Sequence, residues 1–185
     1  MTDSNTATYG GISRLNHWIV ALCVLGMLAV GFYLEFGGLT REAKGPIMAL
    51  HKATGTVLLL VILWRVVWRI RQGFPAPAPG VAGWQVLASK VTHWGLLVMM
   101  LVMPLSGVSM SLLGGRPISI YGLFTIPPVA KIEAVGEITH EVHEYGAWIL
   151  AILVALHIAA AIKHLVIDKD GVLARMTTGK AIDAA

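Results

Sequence analysis

The sequence is poor in charged residues and has a single cysteine. Of its 185 residues only 13% are charged, while 56% are hydrophobic and the mean hydropathy is +0.74. A soluble domain usually carries about 25% charged residues, so this composition excludes a disordered chain and most soluble folds. The lone Cys23 excludes both an internal disulfide and a CxxCH haem-attachment motif. These shortages indicate an integral membrane protein.

Four long apolar segments account for most of the chain. A helix needs about 20 apolar residues to cross a bilayer core, so four spans leave room only for short connections. We therefore predict an all-α integral membrane four-helix bundle that forms one domain over residues 1–185. The first segment lacks a small-x-small cleavage site, so we expect a retained helix and not a signal peptide. The predicted spans are about 15–36, 46–68, 93–113 and 145–162.

Two of the connections are rich in helix-breaking residues, and the basic residues are distributed unequally. The stretches GFPAPAPG (73–80) and GGRPISIYGLFTIPPVA (114–130) contain proline and glycine and are predicted to be loops.

Nine lysines and arginines fall on the side of both termini, against five on the other side. Cytoplasmic loops are enriched in these residues. We therefore predict cytoplasmic termini. In a membrane protein the placement of the basic residues, which indicates orientation, is more informative than the net charge of +4.

Histidines near the ends of the spans are the chemically informative residues. His143 and His157 are 14 residues apart, so they share one face of the fourth helix about 21 Å apart along its axis. The alternating direction of the spans places His17 at the level of His157 and His51 at the level of His143. The sequence contains seven histidines: His17, His51, His93, His140, His143, His157 and His164.

Each pair of histidines suits both axial positions of a haem iron in a helix bundle. A small residue follows each of the four by one helical turn, which leaves clearance for a flat macrocycle. A zinc site would need three or four clustered ligands, whereas these residues are predicted to form separate pairs. A haem-free transporter or proton relay remains an alternative at this point. The small residues are Ala21, Gly55, Ala147 and Ala161.

Seven motifs, in order along nearly the whole chain, resemble the bacterial cytochrome b561 family of small dihaem membrane proteins. The resemblance implies two noncovalent haems b in the bundle core. It places one between His17 and His157 on the cytoplasmic side and the other between His51 and His143 on the periplasmic side. The motifs are RLNHW (14–18), HKATG (51–55), LWRVVWR (63–69), MPLSG (103–107), GRPISIYGLF (115–124), HEYGAW (143–148) and ALHIAAAIKHLVIDKDGVLARM (155–176).

The resemblance also implies electron transfer coupled to quinone in the bacterial cytoplasmic membrane. The short chain is most similar to the superoxide oxidase-like branch, which takes electrons from periplasmic superoxide and reduces ubiquinone. Other relatives are cytochrome b subunits that pass electrons between a partner dehydrogenase or hydrogenase and quinone. The expected partners are therefore membrane lipid, quinone, and either superoxide or a redox protein.

Further candidate residues lie near the two membrane surfaces. Lys52 and Arg116 on the outer side are candidates for steering the superoxide anion. The candidates for a quinone or proton site at the cytoplasmic boundary are Arg14, His93 and His164. A haem propionate or a backbone group is an equally good partner for His93. The arginines at positions 65 and 69, one turn apart, are expected to anchor the helix among lipid headgroups.

Overall fold

A computed structural model of the chain describes residues 3, 8–77, 81–129 and 131–179. Residues 78–80 of the predicted loop 73–80 and residue 130 of the predicted loop 114–130 lie outside this description. The described part is mostly helical, which confirms the all-α fold class. That the whole chain forms a single domain stays a prediction.

Four long helices form the bundle. Each is long and apolar enough to cross a membrane. Two of them begin well before the predicted spans. The third helix begins near residue 83 instead of 93, and the fourth begins near residue 133 instead of 145. Hydropathy marks only the part of a helix that matches the hydrocarbon, whereas helical hydrogen bonding continues through polar residues beyond it. The helices are α1 (Gly11–Phe36), α2 (Arg41–Gln72), α3 (Gly83–Leu112) and α4 (Glu133–Lys163).

Local sequence signals define both ends of α2. The side chain of Thr40 accepts a hydrogen bond from the backbone N–H of Ala43, which caps the first turn. Gly73 follows the last turn with a φ of 69°, a conformation that glycine adopts without strain. These signals fix how far α2 extends, and therefore the depth at which its side chains lie in the bundle.

The bundle core is a column of apolar side chains with one or more from each helix. One buried cluster contains a side chain from each of the four helices, namely Val20, Ile62, Leu97 and Leu150. Most other apolar side chains of the four helices point outward and are exposed, as expected where lipid is the surrounding solvent. The core column separates the two ends of the bundle, where the histidines lie.

Shorter elements close both ends of the described structure. Between α3 and α4 the antiparallel strands β1 (Ile118–Ile120) and β2 (Phe124–Ile126) form a hairpin where the sequence predicted only a loop. Ile118 and Ile120 are buried with Ala53 of α2, so the hairpin covers one end of the bundle. After α4 the chain forms a single π-helical turn (His164–Asp168) and a short helix α5 (Val172–Met176) at the other end.

Candidate haem sites at the two ends of the bundle

His51 of α2 and His143 of α4 face each other near the hairpin end of the bundle. Their ring centroids are 6.3 Å apart and the ring planes are almost perpendicular, at 89°. Nδ1 of His143 lies 2.9 Å from the backbone oxygen of Met103 and 3.0 Å from Oγ of Ser106. Because a carbonyl oxygen only accepts, Nδ1 of His143 carries the proton and donates. Nε2 of His143 therefore keeps its lone pair for a ligand.

A cavity of about 250 Å³ lies beside His51 and His143, which we call the outer pair because the sequence predicts that this end of the bundle faces the periplasm. Both histidine rings line it, together with one small residue from each of the four helices. A Cβ atom added at Gly107 would lie 3.1 Å from Cε1 of His143, and one at Gly31 would lie 3.6 Å from Cε1 of His51. Glycine at position 107 therefore preserves the space beside His143, whereas a Cβ at position 31 would make an ordinary van der Waals contact with His51. The small lining residues are Gly31, Gly55, Gly107 and Ala147.

His17 of α1 and His157 of α4 form a second pair at the other end of the bundle. Their ring centroids are 6.1 Å apart, with 67° between the planes. His93 of α3 also lies here, with its ring centroid 5.4 Å from that of His157. Oγ of Ser89 is 3.1 Å from Nδ1 of His93, and the ring of Phe74 is 5.5 Å away. The structure thus brings together both pairs that the spacing predicted, and adds His93 to the inner one.

The spacing of both pairs fits a metal ion held between two imidazoles. With metal–nitrogen bonds of about 2.0 Å and each nitrogen about 1.1 Å from its ring centroid, two opposed rings have centroids about 6.2 Å apart. The outer pair at 6.3 Å and the inner pair at 6.1 Å match this value. Nδ1 of His51 is buried and has no hydrogen-bond partner within the described residues, so the protein leaves this ring free for a ligand. The outer pair therefore fits a haem by its spacing and its free ring nitrogens, and the inner pair fits one by its spacing.

Arg65 contacts the inner pair and is not a headgroup anchor. Its side chain is only 9% exposed, and Nη1 donates to Oδ1 of Asn16 at 2.9 Å. Its Nη2 lies 3.0 Å from Nδ1 of His17. The sequence expectation was wrong because the position of an arginine near a helix end does not reveal whether a neighbouring helix supplies a polar partner. Here Asn16, which is completely buried, provides it.

Arg69 is also buried, at 2% exposure, and the same expectation is wrong for it. Nη1 of Arg69 forms an ion pair with Oδ2 of Asp3 at 3.1 Å and donates to the backbone oxygen of Gly73 at 2.6 Å. The ring of Tyr9 lies 4.8 Å from the guanidinium carbon. Burial raises the pKa of Tyr9, with the positive charge of Arg69 opposing the rise. The N-terminal segment thus packs over the inner end of the bundle through these contacts.

The three residues predicted for a quinone or proton site belong to different local environments. His93 lies beside His157, as described above. Arg14 packs against Gly179 in the C-terminal segment, which Trp18 also contacts by donating from Nε1 to the backbone oxygen of Met176 at 3.1 Å. His164 lies in the π-helical turn, where its Nδ1 contacts the carboxylates of Asp170 and Asp168. The C-terminal segment therefore ties the end of α4 to the start of α1.

The two residues predicted to steer superoxide flank the hairpin at the outer end. Nζ of Lys52 donates to the backbone oxygen of Pro117 at 2.7 Å, and the same side chain lines the outer cavity. Arg116 is exposed, and its Nη2 lies 3.4 Å from the backbone oxygen of Met110. Lys44 also lines the cavity, as do Glu35 and Glu144. Both signs of charge are thus present at the cavity mouth.

Four membrane-length helices with facing histidines near both ends are the arrangement of a b-type membrane cytochrome. Comparison with known proteins agrees, because the family model described as prokaryotic cytochrome b561 matches residues 8–179. The chain belongs to the prokaryotic cytochrome b561 family. It is accordingly a bacterial multi-pass membrane protein of electron transport with b-type haem, and the haem-free transporter considered from the sequence is set aside.

Relatives of this chain fall into more than one functional group. It is 33% identical over 182 residues to cytochrome b561 homolog 2 of Escherichia coli (strain K12), which covers 95% of each chain. It is 23% identical over 165 residues to the probable superoxide oxidase CybB of Yersinia pestis, covering 89% of this chain and 92% of the relative. A probable Ni/Fe-hydrogenase B-type cytochrome subunit of Cupriavidus necator is also 23% identical, with 94% and 86% covered. The shared property is electron transfer by an oxidoreductase or electron carrier.

Proposed function

We propose that the protein transfers electrons across the membrane from periplasmic superoxide to ubiquinone through two haems b. His51 and His143 hold the outer haem, and His17 and His157 hold the inner one. The observation that carries this proposal is the presence of two facing histidine pairs at opposite ends of the bundle, at 6.3 and 6.1 Å. The bound haem supplies a reversible one-electron change at its iron.

The protein's own side chains decide which reactions this arrangement permits. His51 with His143 and His17 with His157 would hold the two haems and leave a substrate no place to bind the iron, so the haems would supply electron transfer rather than oxygen activation. The backbone oxygen of Met103 orients His143 by accepting a hydrogen bond from its Nδ1–H. Two superoxide anions release two electrons and two molecules of oxygen, and ubiquinone takes up those two electrons with two protons.

The proposed direction requires that the hairpin faces the periplasm and that both termini are cytoplasmic. The unequal distribution of lysine and arginine supports this orientation. The basic side chains around the outer cavity then lie where superoxide arrives. Ubiquinone, which is lipid-soluble, reaches the inner end from within the bilayer, close to Arg14, His93 and His164.

A second candidate function is that of a cytochrome b subunit for a partner hydrogenase or dehydrogenase. The observation in its favour is the similarity to hydrogenase B-type cytochrome subunits, which extends over most of both chains. In that case electrons would enter from a bound redox protein instead of superoxide. The histidine pairs would hold the same haems, so only the electron donor distinguishes the two candidates.

Mixing the purified protein with superoxide and then with ubiquinone tests the proposal. We expect the absorption spectrum of low-spin haem b with two haems per chain, reduction of both by superoxide, and reoxidation by ubiquinone. Stopped-flow absorbance at the haem bands follows both half-reactions. Reduction by dithionite but not by superoxide would support the partner-subunit function instead. A colourless protein made under haem-replete conditions would contradict both.

Replacing Lys52 with glutamine should slow haem reduction by superoxide roughly threefold at low salt, because one attractive charge is lost beside the outer cavity. The difference from the unmodified protein should shrink as ionic strength rises, since salt screens the attraction. Lys90→Gln, at an exposed position on the inner end of α3, is the matched control and should leave the rate unchanged. Equal slowing by both variants would exclude local steering.

A further inference from the structure

His164 has a fixed orientation that its place in the chain does not reveal. Its Nδ1 lies 2.6 Å from Oδ2 of Asp170 and 3.2 Å from Oδ2 of Asp168. An ionised carboxylate only accepts hydrogen bonds, so Nδ1 of His164 carries a proton and donates a hydrogen bond to Oδ2 of Asp170. The other ring nitrogen, Nε2, is therefore the atom available to a ligand.

Asp170 is itself held in place by the backbone. Its second oxygen, Oδ1, accepts a hydrogen bond from the N–H of Val172 at 3.1 Å, at the start of α5. The neighbouring Asp168 is engaged differently, because both of its oxygens accept from Nζ of Lys163. Asp170 is thus the carboxylate committed to His164, while Asp168 is largely neutralised by a lysine.

The His164–Asp170 pair lies at a boundary between polar and apolar surroundings. The side chain of His164 is about one-fifth exposed. The three residues that follow it in the π-helical turn, Leu165, Val166 and Ile167, are all exposed apolar side chains. Exposed apolar groups on a membrane helix face lipid. A lipid-soluble molecule can therefore approach this polar pair from the bilayer, and water can approach it from the membrane surface.

We propose that Asp170 is a positioning residue that makes His164 the proton donor to ubiquinone. Protonated His164 gives the proton on Nε2 to a carbonyl oxygen of the quinone while its Nδ1 proton stays bonded to Asp170. The neutral ring is then reprotonated by water, and a second transfer completes the two protons that accompany the two electrons. Asp170 holds the ring in this orientation through its hydrogen bond with Nδ1. This inference rests on the proposed reduction of quinone.

Asp170→Asn tests it, because asparagine preserves the shape and the acceptor for Val172 but removes the negative charge. We expect reoxidation of the reduced protein by a soluble ubiquinone analogue to slow at least about tenfold, as loss of a general-acid component predicts. Reoxidation by ferricyanide, which takes up electrons without protons, should stay unchanged, as should reduction by superoxide. Asp170→Glu should restore most of the quinone rate, since it restores the carboxylate.

Two further variants separate the local effect from a general one. Glu133→Gln removes an exposed carboxylate that pairs with Lys131 at the other end of the bundle, and it should behave like the unmodified protein. In a His164→Gln background, Asp170→Asn should cause no additional slowing, because the aspartate acts through the histidine.

The outcomes distinguish this inference from the proposed function. A normal quinone rate in Asp170→Asn overturns the role of Asp170, and so does equal slowing with ferricyanide and with quinone. Failure of the unmodified protein to react with quinone, together with normal ferricyanide oxidation, overturns the proposed function itself. If Asp170→Asn is poorly folded, Asp170→Glu and the single variant His164→Gln decide the question, because a normal quinone rate in His164→Gln overturns the inference.

Discussion

Replacing His157 with alanine should lower the haem content of the purified protein from two per chain to about one. His157 faces His17 at the spacing that an intervening iron requires, and a haem left with a single axial histidine dissociates much more readily. The outer pair shares no residue with the inner one, and His143 lies about 21 Å from His157 along the axis of α4. The outer haem should therefore remain. Haem quantification and the reduced-minus-oxidised spectrum measure the change.

His93→Ala is the matched control for this experiment. His93 also contacts His157, but their ring centroids are 5.4 Å apart, which is shorter than two opposed metal ligands require. We therefore expect this variant to retain two haems. Loss of one haem in His93→Ala, or retention of both in His157→Ala, would contradict the assignment of His17 and His157. His143→Ala should remove the other haem and leave the one at the inner end.

The histidine pairs were predictable because membrane helices are regular. A separation of 14 residues places His143 and His157 on one face of α4 whatever the rest of the fold does. The alternating direction of the spans then brings one histidine of α1 and one of α2 to the two ends. The glycines beside the rings were only partly predictable. Gly55 follows its histidine by one turn and was found from spacing, whereas Gly31 and Gly107 approach the rings from other helices.

Residues outside the helices were much less predictable. The contact between Arg69 and Asp3 joins positions far apart in sequence, and nothing in the local pattern signals it. The same holds for Asp170, which reaches His164 only because the chain turns after the π-helical turn. At that point Lys169 has a left-handed backbone with a φ of 51°. Hydropathy and helical periodicity carry no information about such turns.

The two ends of the bundle therefore differ in the groups that surround the histidines. At the outer end, His143 is bonded to a backbone carbonyl and a hydroxyl, both uncharged. At the inner end, a buried arginine contacts His17, and carboxylates hold His164. Charged side chains are costly to bury in a membrane protein and are retained mainly where they function. The buried arginines Arg65 and Arg69 lie at the inner end, which favours proton-coupled chemistry there, whereas the charged side chains around the outer cavity are not buried.

Replacing Gly107 with valine should abolish binding of the outer haem. A Cβ atom alone at this position would lie 3.1 Å from Cε1 of His143, closer than most packed atoms allow. The branched side chain of valine must therefore displace the imidazole or occupy the space beside it. Since close-packed interiors absorb such extra volume poorly, we expect about one haem per chain, with the inner one unaffected. Haem quantification and superoxide-driven reduction would both report the loss.

Gly26→Val is the matched control for Gly107→Val. Gly26, also within a membrane helix, has open space where a Cβ atom would be added. Gly26→Val therefore imposes the same change of residue type without a collision, and it should retain both haems. Gly107→Ala, the smaller change, should keep the haem but shift its spectrum as the ring of His143 moves by a few tenths of an ångström. Full haem content and an unchanged spectrum in Gly107→Val would show that the outer haem does not lie against His143, because a ligand held between His51 and His143 cannot tolerate that side chain.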